Sequence, residues 1–287
     1  MEKTLPLPIN NCKYEDADFV IFGVPNDKGS RYRKGSKDAP NSIRRYVNKN
    51  EIGEVILGKN ISLFGTGTKK FSAKTTDVGN VKIGEEEAMA KKIHADKKIP
   101  VVIGGDHSVT YRIIKGMNIK GNWGVLYFDA HPDLISSRGS YFGSVMNDIS
   151  KLRGFSPKES IIIGMRTPEE EELDNIKKLG IHVITPVDIE RLGVREILKK
   201  IKETLGKRIY LSIDMDVIDP AFAPGVTEPE PAGILPNQLL IIAKEIAKEG
   251  VLGFDLMEIC PKYDIQNTTQ YLAYRIILEI ISSMQDR

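Results

Sequence analysis

Gly124-Val125-Leu126-Tyr127-Phe128-Asp129-Ala130-His131-Pro132-Asp133 is the stretch from which the fold is read. Its first half, Gly124 to Phe128, is continuously apolar and β-rich. It lacks the alternation of a strand with one wet face, so it reads as a parallel strand covered on both sides. Its second half carries acids and an imidazole. In sheets of this kind ligands collect beyond the carboxyl ends of the strands. Side chains two apart on an extended segment also point the same way. Asp129, His131 and Asp133 are therefore expected to converge on one point.

Outward from this stretch, similar runs recur at Phe19 to Val24, Ile61 to Phe64, Pro100 to Ile103, Ser160 to Ile163, Ile181 to Ile184, Ile209 to Ile213 and Val251 to Leu256, which makes eight candidate strands. Helical signals lie between most of them. Gly84 to Lys97 is rich in Glu, Ala and Lys, all good helix formers. Thr167-Pro168-Glu169-Glu170 offers a capping residue, a proline for the first helical position and acids for the first turn. Val194, Ile197, Leu198, Ile201 and Leu205 form one stripe before Gly206. Pro236 opens a segment that ends at Glu249-Gly250, and Asn267 to Met284 is apolar at helical spacing. Strands alternating with helices predict one parallel sheet in an α/β sandwich. The pattern alone leaves a (β/α)₈ barrel open. No linker, repeat or low-complexity tract interrupts it, so residues 1–287 are expected to form a single domain.

The composition narrows the function. With 41% hydrophobic and 28% charged residues the chain reads as an ordinary globular protein. A formal net charge of +2 gives no reason to expect nucleic acid or an anionic membrane as partner. No run approaches the length of a membrane span, and the N-terminal residues MEKTLPLPINN lack the apolar centre of a signal peptide. Cys12 and Cys260 lie far apart and outside any zinc-like spacing, which fits a reduced, cytoplasmic compartment.

Two more strand ends carry the same chemistry. One runs into Gly104-Gly105-Asp106-His107-Ser108, where the glycines permit a tight turn and His107 emerges beyond the sheet edge. The other runs into Ile213-Asp214-Met215-Asp216, which repeats the two-residue spacing with carboxylates. Taken singly, His107 reads as a helix-start residue and Asp214 with Asp216 as a solvated turn. Taken together, four carboxylates and two imidazoles need a counter-charge, because carboxylates held close repel one another and their pKa values rise. Two divalent ions bridged by carboxylates supply it. Imidazole and carboxylate without thiolate suit manganese, zinc or iron better than calcium. His94, in a charged helical segment, and His182, inside a strand, read as structural.

At these residues the chain resembles the ureohydrolase family, which includes arginases and agmatinases. The resemblance rests on Gly104–Ser108, Asp129–Asp133 and Ser212-Ile213-Asp214-Met215-Asp216-Val217-Ile218-Asp219-Pro220. The last block continues through Ala221–Gly225, which is closer to the agmatinase branch. Gly23-Val24-Pro25, Arg33, Gly35, Ala39-Pro40, Ile43-Arg44, Met257–Pro261 and Tyr263-Asp264 also fit, so nearly the whole chain is covered. The resemblance implies a three-layer α/β/α sandwich with an eight-stranded parallel sheet, arginase-like, in place of a barrel. It implies two manganese ions per chain. His107, Asp129, Asp133 and Asp214 would hold one, and Asp129, His131, Asp214 and Asp216 the other. Asp133 would orient the attacking hydroxide and take part in proton transfer. Glu258 would grip a small, flat guanidino substrate through paired hydrogen bonds. Agmatine is the expected substrate, cleaved to putrescine and urea, and a trimer or hexamer of identical chains the expected assembly.

One departure stands out. Relatives carry a histidine after the Asp-Ala-His block, with a proton-shuttle role. Here Phe142 aligns with it within Ser140–Met146, behind a short loop from Leu134 to Tyr141. Phenylalanine carries no proton, so Tyr141 or water would have to substitute. Two rival readings follow. One is a ureohydrolase acting on a guanidino acid, with Arg138 pairing to the substrate carboxylate. The other is a metal-binding pseudoenzyme. Arginine is the least expected substrate, because Leu134 to Gly143 has no match to the arginase stretch that holds the amino-acid end.

Overall fold

The computed structural model describes residues 5–49, 60–63, 67–136 and 141–285. Its main sheet has eight strands, all parallel: β1 (Phe19–Gly23), β4 (Thr75–Asn80), β5 (Ile99–Ile103), β6 (Gly124–Phe128), β7 (Ile161–Ile163), β8 (His182–Ile184), β9 (Ile209–Asp214) and β10 (Phe254–Met257). Their order is β4-β1-β5-β10-β9-β6-β7-β8. This is an open sheet with two edges, which excludes the barrel.

The side chains show why both faces must be covered. Within each central strand, alternate residues enter opposite cores. Phe19 and Ile21, Val101 and Ile103, Leu126 and Phe128, and Leu211 and Ile213 join one apolar cluster. Val20 and Phe22, Val102, Val125 and Tyr127, and Tyr210 join the other. Helices α1 (Ala39–Lys49), α6 (Pro186–Thr204), α7 (Pro236–Ala247) and α8 (Thr268–Met284) pack on the first face. Helices α2 (Glu86–Ala95), α3 (Ser108–Met117), α4 (Val145–Ile149) and α5 (Glu170–Leu179) pack on the second. The result is the expected three-layer α/β/α sandwich.

Several local expectations change. The run expected as a strand from Ile61 to Phe64 does not enter the main sheet. As β2 (Asn60–Leu63) it pairs antiparallel with β3 (Gly67–Lys70) in a separate hairpin, and Phe64 lies outside the described residues. The eighth place is taken by β4, whose Thr75-Thr76-Asp77-Val78-Gly79-Asn80 carries little apolar signal. An edge strand has one neighbour and half-exposed side chains, so it needs none. Helix α5 begins at Glu170 rather than at Pro168: Glu169, not Thr167, is its N-cap, and its N–H donates to Glu172 Oε2 at 2.9 Å. Helix α6 is broken at Gly193, which adopts φ 74°. His94 lies in α2 and His182 at an exposed position of β8.

The edge strand is pinned by a buried ion pair. Arg44 of α1 makes two hydrogen bonds to Asp77, Nε to Oδ2 at 2.8 Å and Nη2 to Oδ1 at 2.7 Å, with both side chains essentially sealed from solvent. Leu7 N–H adds a third at 2.9 Å to Asp77 Oδ2. Removing one partner strands a buried charge. Arg44→Met is therefore expected to lower the unfolding free energy by about 3–5 kcal/mol, measured as a fall in the urea midpoint at constant m-value. A loss under about 1 kcal/mol would mean that water screens the pair.

Candidate metal centre

Four neighbouring strands in the middle of the sheet, β5, β10, β9 and β6, end in the functional blocks. Close packing brings them together. A side chain at Gly104 would strike the Met257 sulfur, and one at Gly105 would strike the Asn26 backbone, whose carbonyl accepts the Asp106 N–H at 2.7 Å. The glycines serve this contact between neighbouring strand ends rather than a left-handed turn. His107 occupies the N-cap position of α3 without capping it, so its ring is free to face inward.

The ring meets three carboxylates. His107 Nδ1 is 3.1 Å from Asp129 Oδ2, 3.1 Å from Asp214 Oδ2 and 3.7 Å from Asp133 Oδ2. His131 Nδ1 is 3.1 Å from Asp216 Oδ2 and 3.4 Å from Asp129 Oδ1. Two donor sets result, His107 with Asp129 and Asp133, and Asp129 with His131 and Asp216, each with its donor atoms within 4.8 Å of one another. Asp129 belongs to both. Asp214 lies against the first through His107 and reaches the second through its Oδ1, which accepts the Asp216 N–H at 2.8 Å. All six residues named from the sequence thus meet.

They do not meet by strand alternation alone. Asp133 is reached through a left-handed residue, itself, at φ 52°, and Asp216 lies in a 3₁₀ turn (Met215–Val217) just past β9. Glu258 sits beside the cluster at φ 61°. Its Oε1 accepts the His107 N–H at 2.7 Å, its Oε2 accepts Thr227 Oγ1 at 2.5 Å, and its own N–H donates to Gly105 O at 2.9 Å. Backbone strain of about 1–3 kcal/mol per such residue collects where function demands a particular side-chain direction.

The direction of the hydrogen bonds behind His107 fixes its tautomer. Buried Asp255 accepts from Ser212 Oγ at 2.6 Å, Tyr210 Oη at 2.8 Å and Thr110 Oγ1 at 2.9 Å. The single Ser212 proton is thereby committed, so Ser212 Oγ, 2.9 Å from His107 Nε2, accepts from that nitrogen. Nδ1 is then left with a lone pair aimed at carboxylate oxygens, and Asp129 Oδ2 is buried without any hydrogen-bond donor. Either a second ring proton or a metal ion must lie between them. The donor set therefore fits divalent cations, in the arrangement where an outer carboxylate orients a histidine ligand.

A model of the Arginase family matches residues 17–282. This chain belongs to the arginase family. It is 30% identical over 288 residues to an agmatinase of Neisseria meningitidis, covering 96% of this chain and 91% of that protein. It is 31% identical over 297 residues to the human mitochondrial guanidino acid hydrolase, covering 97% and 81%. Its fold superposes on the crystal structure of agmatine ureohydrolase of Thermoplasma volcanium with a TM-score of 0.83 at 28% identity, covering 97% and 94%.

The electrostatics of this arginase-family site follow from burial and crowding. Burial first, then the charge of Asp129, pushes Asp133 well above the usual carboxylate range. Burial, then Asp216 and Asp129, does the same to Asp214. Burial alone would lower His107, but Asp129 and Asp214 outweigh it and hold the ring well above the usual imidazole range. His131 is raised in the same way, against burial, by Asp216 and Asp129. Asp129 runs the other way: burial would raise it, yet both histidines bring it down to about 2. The cluster thus draws protons that a metal ion would displace.

Other residues of the site carry weak or no sequence signals. Tyr127 stacks on His107, ring centroids 4.7 Å apart, and donates to Asp133 Oδ2 at 2.5 Å, yet in the sequence it is one more apolar strand residue. Ser212 and Asp255 are polar residues inside apolar strands, the one signal that would have found them. Phe142 lies in a 3₁₀ turn with its ring 4.7 Å from that of Tyr141, over which the Arg31 guanidinium sits at 4.0 Å. The turn is tied to the Asp133 segment by Ile135 N–H to Gly143 O and Asn147 N–H to Asp133 O, both at 3.1 Å. Arg138 lies outside the described residues.

Asp255→Asn, with Ser212→Ala beside it, should weaken divalent-metal affinity by about 10–100-fold, read by competition with a metal-binding dye. In the wild type, protons on Asp133, Asp214, His107 and His131 compete with metal, so affinity should climb as pH rises. A pH-independent affinity would contradict the reading of these residues as ligands.

Proposed function

We propose that this chain holds two divalent ions, manganese in the first instance, and hydrolyses agmatine to putrescine and urea. The observation that carries the reading is the junction of Asp129-centred donor sets with a buried carboxylate, Glu258, one strand away. His107, Asp129, Asp133 and Asp214 would hold one ion, and Asp129, His131, Asp214 and Asp216 the other. Bound there, the ions would make hydroxide available at neutral pH. Asp133, anchored by Tyr127, would orient that nucleophile and take part in proton transfer as it attacks the guanidinium carbon. Glu258 has two lone-pair positions committed to His107 N–H and Thr227. A carboxylate offers about four, so two remain to grip a flat guanidinium. Agmatinases at 30% identity over most of the chain support the choice of substrate. Release of urea from agmatine by manganese-loaded protein tests the proposal, and no release from agmatine or any other guanidino compound would leave a pseudoenzyme.

Burial and the charge of Asp106 push Glu258 up to about 8. Below that pH it is protonated in the free protein and must lose the proton to meet a cation. In the wild type kcat/KM should therefore rise with pH towards about 8. Glu258→Gln should keep its metal content, lose roughly 10–100-fold in kcat/KM and lose that limb of the pH profile. An unchanged kcat/KM would refute the assignment of Glu258 to substrate.

Phe142 leaves no titratable group at its position. Phe142→His restores one with an unperturbed pKa near 6.5 and is expected to raise kcat by roughly 10²-fold at unchanged metal content. If kcat falls instead, Phe142 is a pocket wall, and Tyr141→Phe, by lowering kcat, would identify the Tyr141 hydroxyl as the proton carrier.

A further inference from the structure

The segment from Val226 to Pro231 crosses from Glu258 to His131, and it is fixed at both ends. Val226 bridges Ile259, Thr227 N–H donates to Glu258 O at 3.1 Å, and Thr227 Oγ1 donates to the Glu258 carboxylate. At the other end the Arg166 guanidinium donates to Glu230 O at 2.6 Å and Pro231 O at 2.9 Å, and to Asp216 O at 2.7 Å on the metal-ligand turn. Its donors are spent on backbone carbonyls, so it acts as a clamp and makes no hydrogen bond to the carboxylates of this segment.

Two carboxylates of the segment face one ring nitrogen. Glu228 Oε2 is 3.6 Å and Glu230 Oε1 4.0 Å from His131 Nε2. With His131 Nδ1 turned to Asp129 and Asp216, Nε2 has a single proton to give, enough for one of the two acids. The other is a surplus negative charge on the side of the His131 ring turned away from Asp129 and Asp216. Glu228 is the better placed of the two for a substrate. It follows directly on Thr227, which touches Glu258, and its side chain is 22% exposed, so it is partly desolvated yet open to solvent. Among the described residues the opposing charge beside Tyr141 is Arg31, which stacks on that ring and is exposed. An exposed charge is screened by water and salt, and a half-buried one much less so. Among the described residues the acid therefore dominates the rim.

We infer that Glu228 selects the substrate's far end: it receives the distal ammonium of an aminoalkyl guanidine and rejects a carboxylate in the same place. This rests on the proposed hydrolysis of guanidino compounds and specifies how that site chooses among them. Glu230 Oε1, at 4.0 Å, lies farther from the same ring nitrogen.

The test compares agmatine with 4-guanidinobutyrate, in which a carboxylate replaces the aminomethyl end, in urea-release kinetics with metal content measured in parallel. For Glu228→Gln, kcat/KM for agmatine should fall roughly 10–100-fold, mainly through KM, while that for 4-guanidinobutyrate holds or rises. Metal content should not change. Glu230→Gln should change both substrates alike, leaving their ratio intact. A parallel loss on both substrates in Glu228→Gln, or an unchanged agmatine KM, would overturn the inference while the proposed hydrolysis stands. So would a wild type that prefers 4-guanidinobutyrate. A wild type that releases urea from neither compound overturns both.

Discussion

Crowding of like charges governs this molecule. Four aspartates, Asp129, Asp133, Asp214 and Asp216, lie side by side and nearly sealed from solvent. Ionised carboxylates so placed are tolerable only with compensating positive charge. Asp129 is the clearest case: one of its oxygens is buried with no donor, while its pKa is pulled down by two imidazoles. A sheet that brings the ends of β5, β10, β9 and β6 together cannot form without a solution to this repulsion. Metal affinity and fold are consequently two readings of one balance.

The strand order explains how the chain reaches that arrangement. β5 and β6 follow one another in sequence, joined through α3, yet β10 and β9 are inserted between them. The late part of the chain thus completes a site begun by the early part. His107 waits on Asp214 and Ser212, and its backbone N–H waits on Glu258. Polar residues placed in otherwise apolar strands, Ser212 and Asp255, carry the orientation of His107 through the sheet. A wholly apolar pair of strands would pack as well and leave the ring unaligned.

How much of this was legible depended on whether a residue's role is local. Asp129, His131 and Asp133 announce themselves because a two-residue spacing at a strand end is a local pattern, and Asp214 with Asp216 repeats it. Even there the backbone departs from the pattern, since Asp133 turns through left-handed φ and Asp216 through a 3₁₀ turn. The sandwich was equally legible, because buried parallel strands must be continuously apolar. The edge strand β4 was not, because an edge position removes that requirement; Asp77 holds it by an ion pair to a residue 33 positions away. Tyr127, Asp255 and Arg166 also act through distant partners, and no spacing in the sequence encodes them.

The same division separates chemistry from selection. The candidate metal ligands and Glu258 come from strand ends, where the sheet fixes them from below. The residues proposed to face the substrate's tail belong to an irregular segment, Val226–Pro231, with no periodicity of its own. It is nonetheless held as firmly as a strand, because Thr227 ties it to Glu258 and Arg166 ties it to the Asp216 turn. A segment anchored at both ends on the catalytic framework can exchange its outward side chains without disturbing the metal ligands. That is the physical condition under which one binuclear scaffold can serve substrates with cationic and with anionic tails, and it places the choice at the rim rather than at the metals.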